Sequence, residues 1–447
     1  MTLFTVSALL LLDTLAASAS IGVPSLFWWV FLGIIFMVPY ALITAELGTA
    51  YPEQGGIYAW VRDSFGTRWG SRITWLYWFN AVIWNASICI LFSGVFSQMF
   101  FPDLSFTIQL AIAISLNWLV TLLTCVSLSV GKWVPNTGAI LKLIVFVAVI
   151  GGGIAFVLNG EVELANEFSW SALTPEWGSS TQYLSTIVYG MLGFELMSSA
   201  SEEMENPTRD IPRAIFWSGL IVFSMYFLGT FAILVAIPAG EINLVEGLVD
   251  TLRMLFGNST LGVATATLLG TFALVTFFTN ATTWSLGCNR AVAEAAIDGE
   301  MPNIFGKEHA AYGTPVGAAI MMGIGATLLL LIYAAVVGSN EDLFWSLFAA
   351  SGVLFLIPYV GAIAAFYYMR IHDGERERPF KVRGGNSMAL FLSIVCIAIL
   401  LMTIFLFMYV PGSGFDWPVV IGSFASIVLG ELLIRFAEYE NKQALAE

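Results

Sequence analysis

The chain has few charged residues and few of the side chains on which most enzyme sites depend. Only 11% of its 447 residues are Asp, Glu, Lys or Arg, and it has 2 histidines and 4 cysteines. A soluble domain carries about 25% charged residues, so this composition excludes an ordinary water-soluble protein. The sequence shows no spacing typical of a catalytic nucleophile, a metal site or a phosphate loop. We therefore expect a protein that is not an enzyme and that needs no cofactor or metal.

Long uncharged apolar runs take the place of the missing charge. Residues 73–102, 104–131, 214–240 and 254–289 contain no charged side chain. A helix needs roughly 20 apolar residues to cross a bilayer, so each run is long enough. The sequence predicts an all-α polytopic membrane protein with twelve transmembrane helices. Their approximate cores are residues 3–23, 27–50, 72–99, 106–129, 136–158, 181–200, 211–237, 262–289, 314–337, 343–369, 388–410 and 417–435.

The basic residues predict how the chain is oriented. If the N-terminus is cytoplasmic, 15 of the 17 Lys and Arg residues fall on the cytoplasmic side, as the positive-inside rule requires. The exceptions are Lys142, which lies within a predicted span, and Arg253. We expect a multi-pass protein of the cell (inner or plasma) membrane with both termini in the cytoplasm. The bilayer is then its partner, and no basic patch beyond short cytoplasmic loops indicates nucleic acid.

Three ionisable residues fall at predicted membrane depth: Asp13, Lys142 and Glu195. Charges there are costly and usually face a cavity or a partner, so each is a candidate functional residue. The alternative for each is a structural ion pair that joins two helices.

Two predicted spans contain weak helix-forming sequence at corresponding places. The first carries "LDTLAASASIGVP", with Ser18, Ala19 and Ser20 at its centre, and the sixth carries "YGMLGFE". These spans hold the same place in two successive five-span units, which is typical of an inverted-repeat transporter with a site at the two breaks. Helix ends at a break offer free N–H groups to anions and free carbonyls to ammonium groups. Close helix packing also uses small residues, so this pattern alone does not decide.

Longer motifs give the chain a family resemblance over nearly its whole length. It resembles the amino acid–polyamine–organocation superfamily of secondary transporters. The motifs are "TAELGTAYPEQGGIYAWVRDSFG" (44–66), "GFELMSSASEEMENPTRDIPRAI" (193–215), "NRAVAEAAIDGEMPNIFGKEHAAYGTPV" (289–316) and "RPFKVRGG" (378–385). The resemblance implies the LeuT-like 5+5 inverted repeat with discontinuous helices 1 and 6. Its repeats would be residues 1–160 and 180–370, followed by two further helices in 386–436 and a cytoplasmic tail, 437–447.

The resemblance also implies site residues. The region 76–85 is similar to the third helix of arginine–agmatine antiporters, which makes Asn85 a substrate contact, and Tyr189 stands where such antiporters have a tryptophan lid. The implied gate is Tyr77, Glu195, Trp284 and Tyr359. With the polar and aromatic neighbours predicted around it, the expected substrate site is Asp13, Ser18, Ala19, Ser20, Asn80, Asn85, Tyr189, Gly193, Phe194, Glu195, Asn280 and Trp284.

Some features differ from those antiporters. Ser18-Ala19-Ser20 stands where the family has Gly-x-Gly, which crowds the backbone that usually holds a substrate carboxylate. The short connection to the second helix is similar to glutamate–GABA antiporters. Plant-type polyamine and cationic amino acid carriers share "ALITAELGT", an acid like Asp13 and a lysine like Lys142. Lys142 resembles the residue that replaces a sodium ion in sodium-independent members, as a fixed charge or a proton carrier.

The leading hypothesis is a sodium-independent secondary active transporter of amino acids or related amines, working by alternating access. It would act as an exchanger or a proton-coupled symporter, with Glu195 holding a cation or carrying a proton. A nutrient sensor that binds without flux and a channel are the alternatives. The substrate stays open between an amino acid and an amine, and the oligomeric state between monomer and homodimer.

Overall fold

The computed structural model describes residues 6, 9–52, 56–126, 133–159, 163–196 and 206–444. Over these residues the protein is mostly helical. In chain order the α-helices are α1 Leu15–Ala19, α2 Pro24–Leu32, α3 Val38–Ala50, α4 Ile57–Phe65, α5 Thr67–Phe100, α6 Phe106–Val126, α7 Trp133–Asn159, α8 Leu184–Tyr189, α9 Pro207–Ala236, α10 Gly247–Phe256, α11 Thr260–Ile297, α12 Val316–Ala334, α13 Asn340–His372, α14 Gly385–Met408 and α15 Trp417–Ala444.

Shorter elements connect these helices. The 3-10 turns are Leu12–Thr14, Ser179–Tyr183 and Ala239–Glu241, and the strands β1 Tyr409–Val410 and β2 Gly414–Phe415 form an antiparallel hairpin between α14 and α15. A π-helical turn, Gly33–Met37, joins α2 to α3. Pro39 follows this turn at the start of α3. Because proline has no N–H to donate and its ring crowds the carbonyl four residues earlier, a widened turn here fits the sequence.

Within the described residues, ten helical stretches are long and apolar enough to cross a membrane, which confirms a polytopic membrane protein. They are Pro24–Ala50, Thr67–Phe100, Phe106–Val126, Val134–Asn159, Arg209–Ala236, Thr260–Ile297, Val316–Ala334, Asn340–His372, Gly385–Met408 and Trp417–Gln443. Each overlaps one predicted span. The two remaining predicted spans, 3–23 and 181–200, are the two that the sequence marks as interrupted. Residues 9–19 of the first of these spans and residues 184–196 of the second are called here the first segment and the sixth segment.

Two helices form the centre of the bundle. The most apolar windows of α5 and α13 are 83% and 78% buried inside the protein, whereas that of α15 is only 28% buried. The two central helices pack against each other, and α5 also packs against α11. All four cysteines are buried and free, as their scattered apolar positions predict. Side chains of these central helices, Trp84 and Tyr359, reach the two interrupted segments.

A buried ion cluster fixes one end of this bundle. Glu46, at the end of α3, is fully buried and pairs with Arg370 of α13 and with Arg378. It also accepts a hydrogen bond from the backbone N–H of Val382 at 2.6 Å. The motif "RPFKVRGG" is thus the segment that completes the cluster, together with the carboxylate of "TAELG".

Replacing Glu46 with glutamine should destabilise the protein strongly. Glu46→Gln keeps the side-chain shape but leaves two buried arginines without their carboxylate, a loss of about 3–5 kcal/mol in the free energy of unfolding. The measurement is chemical or thermal unfolding of the purified protein in detergent.

Glu431→Gln is the matched control. Glu431 contacts Arg68, Arg72 and Arg435, but its side chain is 28% exposed. Exposed ion pairs contribute about 0–1 kcal/mol, so this change should have little effect. Equal losses in the two variants would show that burial does not decide the strength of the Glu46 cluster.

Candidate functional site

The sixth segment is interrupted next to Glu195. α8 ends at Tyr189, and the chain then turns until Leu196. Gly193 has a φ of +112°, a conformation that is open to glycine and strained for other residues. A Cβ at this position would lie 2.9 Å from the Cδ1 atom of Leu9 in the first segment. The helix is thus interrupted over residues 190–195, and the glycine lets the two interrupted segments approach each other. Residues 197–205 of the same motif lie outside the described residues.

Two tyrosines hold the Glu195 carboxylate. The hydroxyl of Tyr359, in α13, donates to Oε1 at 2.7 Å, and the hydroxyl of Tyr40, in α3, donates to Oε2 at 2.7 Å. Glu195 itself is only 4% exposed. Hydrogen bonds to an ionised carboxylate are short and strong, so this clamp ties two helices to the sixth segment. The Tyr359 contact joins two residues of the implied gate, whereas Tyr40, which donates to the other oxygen, is not among the gate residues that the resemblance implies.

The first segment is interrupted at Leu11, before Asp13. Leu11 is extended, with φ −122° and ψ 126°, and a 3-10 turn then leads into α1. The Leu11 amide donates to the hydroxyl of Tyr226 at 2.8 Å, and that hydroxyl donates to the Leu9 carbonyl at 3.0 Å. A side chain of α9 therefore satisfies backbone groups that a continuous helix would have paired.

The expectation that this break lies at Ser18, Ala19 and Ser20 is wrong. Ser18 and Ala19 belong to α1, and Ser20 caps its end. The Ser18 and Ser20 hydroxyls each donate to a carbonyl of their own helix, and Ser18 also pairs with Thr230 of α9 at 3.1 Å. The small side chains serve close packing of α1 on α9, the alternative that the sequence left open. Gly22, with φ +88°, forms the turn between α1 and α2.

Asp13 is buried, and one of its two carboxylate oxygens accepts a hydrogen bond. Its Oδ2 atom accepts a hydrogen bond from the indole Nε1 of Trp84 at 3.1 Å. Its Oδ1 atom is buried and accepts no hydrogen bond from the described residues. Lys142, on α7 and only 1% exposed, attracts this carboxylate electrostatically. Two of the three charges predicted at membrane depth thus interact electrostatically.

Aromatic rings connect the two carboxylates. Successive ring centroids lie 6.3, 6.4, 6.1 and 4.9 Å apart. This aromatic wall consists, in order, of Trp84, Trp284, Tyr77, Phe355 and Tyr359. Its first ring donates to Asp13 and its last donates to Glu195. Tyr189 packs on Phe355 at 4.9 Å, and Phe194 lies 5.8 Å from Tyr40. Such faces can hold a cation by cation–π attraction.

The three predicted asparagines differ in their surroundings. Asn80 accepts a hydrogen bond from Ser351 at 2.9 Å, between the two central helices. Asn85 donates to Asn117 of α6 at 2.8 Å. Asn280 is half-buried on α11, one turn before Trp284. These bonds place the first two in helix packing, and substrate contacts for all three stay predictions.

Comparisons with known proteins agree with the motifs. A family model described as "Amino acid permease" matches residues 1–430. The chain belongs to the amino acid permease family. It is 36% identical to a "Probable agmatine/putrescine antiporter" of Lactococcus lactis over 95% of this chain and 91% of that protein. An "Uncharacterized transporter" of Legionella pneumophila is 29% identical (87% and 84% covered), and a "Probable polyamine transporter" of Arabidopsis thaliana is 26% identical (83% and 70% covered).

The family membership confirms the resemblance to amino acid–polyamine–organocation transporters. This permease is accordingly a transporter rather than an enzyme. Its site still contains residues that the sequence did not indicate. Tyr40 and Tyr226 lie in apolar runs without a motif, and Phe355 is one of 35 phenylalanines. Trp84 could have been identified from the sequence, because it precedes Asn85 in the stretch that resembles the antiporters.

Gly193→Ala should disrupt the sixth segment of the permease. Alanine at a φ of +112° is strained, and its Cβ would press on Leu9. We expect a loss of about 1–3 kcal/mol in unfolding free energy and a strong fall in uptake, because Glu195 moves with this turn. Unfolding in detergent and uptake into liposomes measure the two effects.

The control is Gly151→Ala, in the middle of α7. Nothing lies within 4 Å of a Cβ at Gly151, and alanine favours a helix by about 1 kcal/mol over glycine. This variant should be as stable as the original protein or more so. If Gly193→Ala behaved in the same way, the turn would not depend on its glycine.

Proposed function

We propose that this permease is a sodium-independent exchanger of amines that carry no carboxylate, of the agmatine and putrescine type, and that it works by alternating access. Its framework would be the twelve-helix 5+5 inverted repeat, in which the first and sixth segments are the discontinuous helices. Both termini would be cytoplasmic. The observation that carries the proposal is the buried Asp13 carboxylate, whose Oδ1 atom accepts no hydrogen bond from the described residues.

The backbone around the first segment supports an amine over an amino acid. A substrate carboxylate would need free amides at the break or at residues 18–22. The amides of Ser20 and Gly22 donate within the end of α1, and the Leu11 amide donates to Tyr226. The acceptor of Asp13 is instead suited to an ammonium or guanidinium group. The names of the relatives, an antiporter of agmatine and putrescine and a polyamine transporter, support the same substrate class.

The Glu195 clamp supports alternating access. Tyr40 lies on α3, which precedes the sixth segment in the sequence, and Tyr359 lies on α13, which follows it. Both donate to Glu195. A carboxylate whose partners are neutral hydroxyls can exchange them without leaving an unpaired cation behind. Movement of the sixth segment relative to α3 and α13 would thus open or close the path to Asp13.

Asp13→Asn should abolish amine exchange. The amide keeps the shape of the carboxylate but removes its charge, and hydrogen bonds to charged groups contribute about 1.5–3 kcal/mol, so the rate should fall tenfold or more. The measurement is counterflow of labelled putrescine and agmatine into liposomes loaded with unlabelled amine, with arginine as the carboxylate-bearing comparison.

Asp250→Asn is the control, because Asp250 lies in α10 and bonds Gln98 at 2.7 Å. It should leave exchange unchanged. Full exchange by folded Asp13→Asn protein would contradict the proposal. Binding of amines without any counterflow by the original protein would instead indicate a sensor, and a preference for arginine would indicate an amino acid carrier.

Exchange should also be independent of sodium. Lys142, which interacts electrostatically with Asp13, would supply a positive charge next to the first segment, where a coupled ion would otherwise be needed. Counterflow should therefore be equal in sodium chloride and in choline chloride of the same ionic strength. A rate that falls when sodium is removed would contradict this assignment of Lys142.

A further inference from the structure

We propose that Trp84 determines amine specificity by positioning Asp13: its indole N–H fixes one carboxylate oxygen so that the other is presented to the substrate ammonium. The same indole is the first ring of the aromatic wall that continues from Asp13 toward Glu195. This inference rests on the proposed function and goes beyond it, because it assigns the orientation of the acceptor to one residue of α5.

The hydrogen bond defines how the carboxylate lies. An indole nitrogen can only donate, and Trp84 donates to Oδ2 of Asp13 at 3.1 Å. Both residues are buried, with 4% of Trp84 and 3% of Asp13 exposed. With Oδ2 held, the Oδ1 atom is fixed in direction and has no hydrogen-bond donor among the described residues. A buried acceptor in this position favours a ligand that brings its own donor.

The ring of Trp84 restricts what such a ligand can be. It meets Trp284 at a centroid distance of 6.3 Å and an interplanar angle of 61°. Tryptophan is the strongest cation–π partner, so a cation at Oδ1 that contacts an indole face of this pair would be stabilised by that face as well as by the charge of Asp13. A zwitterionic α-amino acid would bring its own carboxylate within a few bonds of Asp13, where like charges repel. The arrangement therefore selects an alkyl ammonium or guanidinium over an amino acid.

Other tryptophans of the same helix show that a bonded indole is not unusual in itself. Trp75 donates to the Ser426 carbonyl at 2.9 Å, and Trp78 donates to Oδ1 of Asn289 at 2.9 Å. Both of these acceptors are neutral groups. Among the indole bonds described for α5, that of Trp84 is the one made to a carboxylate. This difference provides a matched comparison within one helix.

The test is Trp84→Phe, which keeps an aromatic ring and removes the N–H. We expect the Kd for putrescine and for agmatine, measured by calorimetry on purified protein, to rise about tenfold, or about 1.4 kcal/mol. In liposomes the KM for exchange should rise in parallel, while the maximal rate stays close to that of the original protein. Discrimination against arginine should weaken.

Trp78→Phe is the control. It loses an indole bond of the same length in the same helix and should leave the Kd unchanged. Combining Trp84→Phe with Asp13→Asn should weaken binding no further than Asp13→Asn alone, because the two residues act as a unit. An unchanged Kd in Trp84→Phe, or equal changes in both tryptophan variants, would overturn the inference.

A second pair of variants covers a failure of Trp84→Phe to fold. Trp84→His keeps a ring N–H, whereas Trp84→Leu keeps only apolar volume. The histidine variant should therefore bind putrescine more tightly than the leucine variant. Equal affinities would count against a role for the hydrogen bond. If Asp13→Asn leaves binding intact, the proposed function fails; if Asp13→Asn weakens binding and Trp84→Phe does not, only the role of Trp84 fails.

Discussion

The structure depends on hydrogen-bond partners for the backbone N–H and carbonyl groups that are left unpaired where two helices end inside an apolar bundle. In lipid, an unpaired N–H or carbonyl costs several kcal/mol, so a break persists only where other groups replace the lost helical bonds. At the first segment one hydroxyl, that of Tyr226, accepts from Leu11 and donates to Leu9. Trp29 stacks on the same tyrosine at 5.0 Å and keeps it in place. At the sixth segment Gly193 provides the conformation, and its missing side chain makes room for Leu9. The two breaks therefore contact each other, through Leu9 of the first segment and Gly193 of the sixth.

Among the described residues three carboxylates are buried, and how completely each is paired separates their roles. Glu46 has two arginines and a backbone N–H, and breaking such a pair is strongly unfavourable, so it is part of the scaffold. Glu195 has two neutral hydroxyl donors from two helices, which suits a contact that forms and breaks. Asp13 has one indole donor and a lysine nearby. The least completely satisfied acid is the one that gains most from a cationic substrate.

The sequence predicted those features of the fold that depend on local composition. Hydropathy located the ten long apolar helices found among the described residues, and the glycines at 190 and 193 indicated where the sixth segment departs from helix, because glycine weakens a helix. The first break was misplaced because Leu9–Leu12 is a run of leucines with high helix propensity, and the departure from helix there is imposed by Tyr226, more than 200 positions away. The sequence did not indicate Trp84 and Tyr40 for the same reason: tertiary packing decides that they contact Asp13 and Glu195. The resemblance indicated Tyr359. In the third helix it indicated Asn85, which directly follows Trp84, the residue whose indole donates to Asp13.

In the proposed cycle, the charge of Asp13 also explains why the permease would exchange amines rather than release them in one direction. Closing the bundle around Asp13 without a cation leaves a buried carboxylate that Lys142 compensates only in part, because the Oδ1 atom still lacks a donor. A bound amine supplies that donor and lowers the free energy of the closed state. The loaded protein can then pass between its two open states more readily than the empty one. Each amine that leaves would therefore have to be replaced by another before the site returns, which is the condition for obligatory exchange.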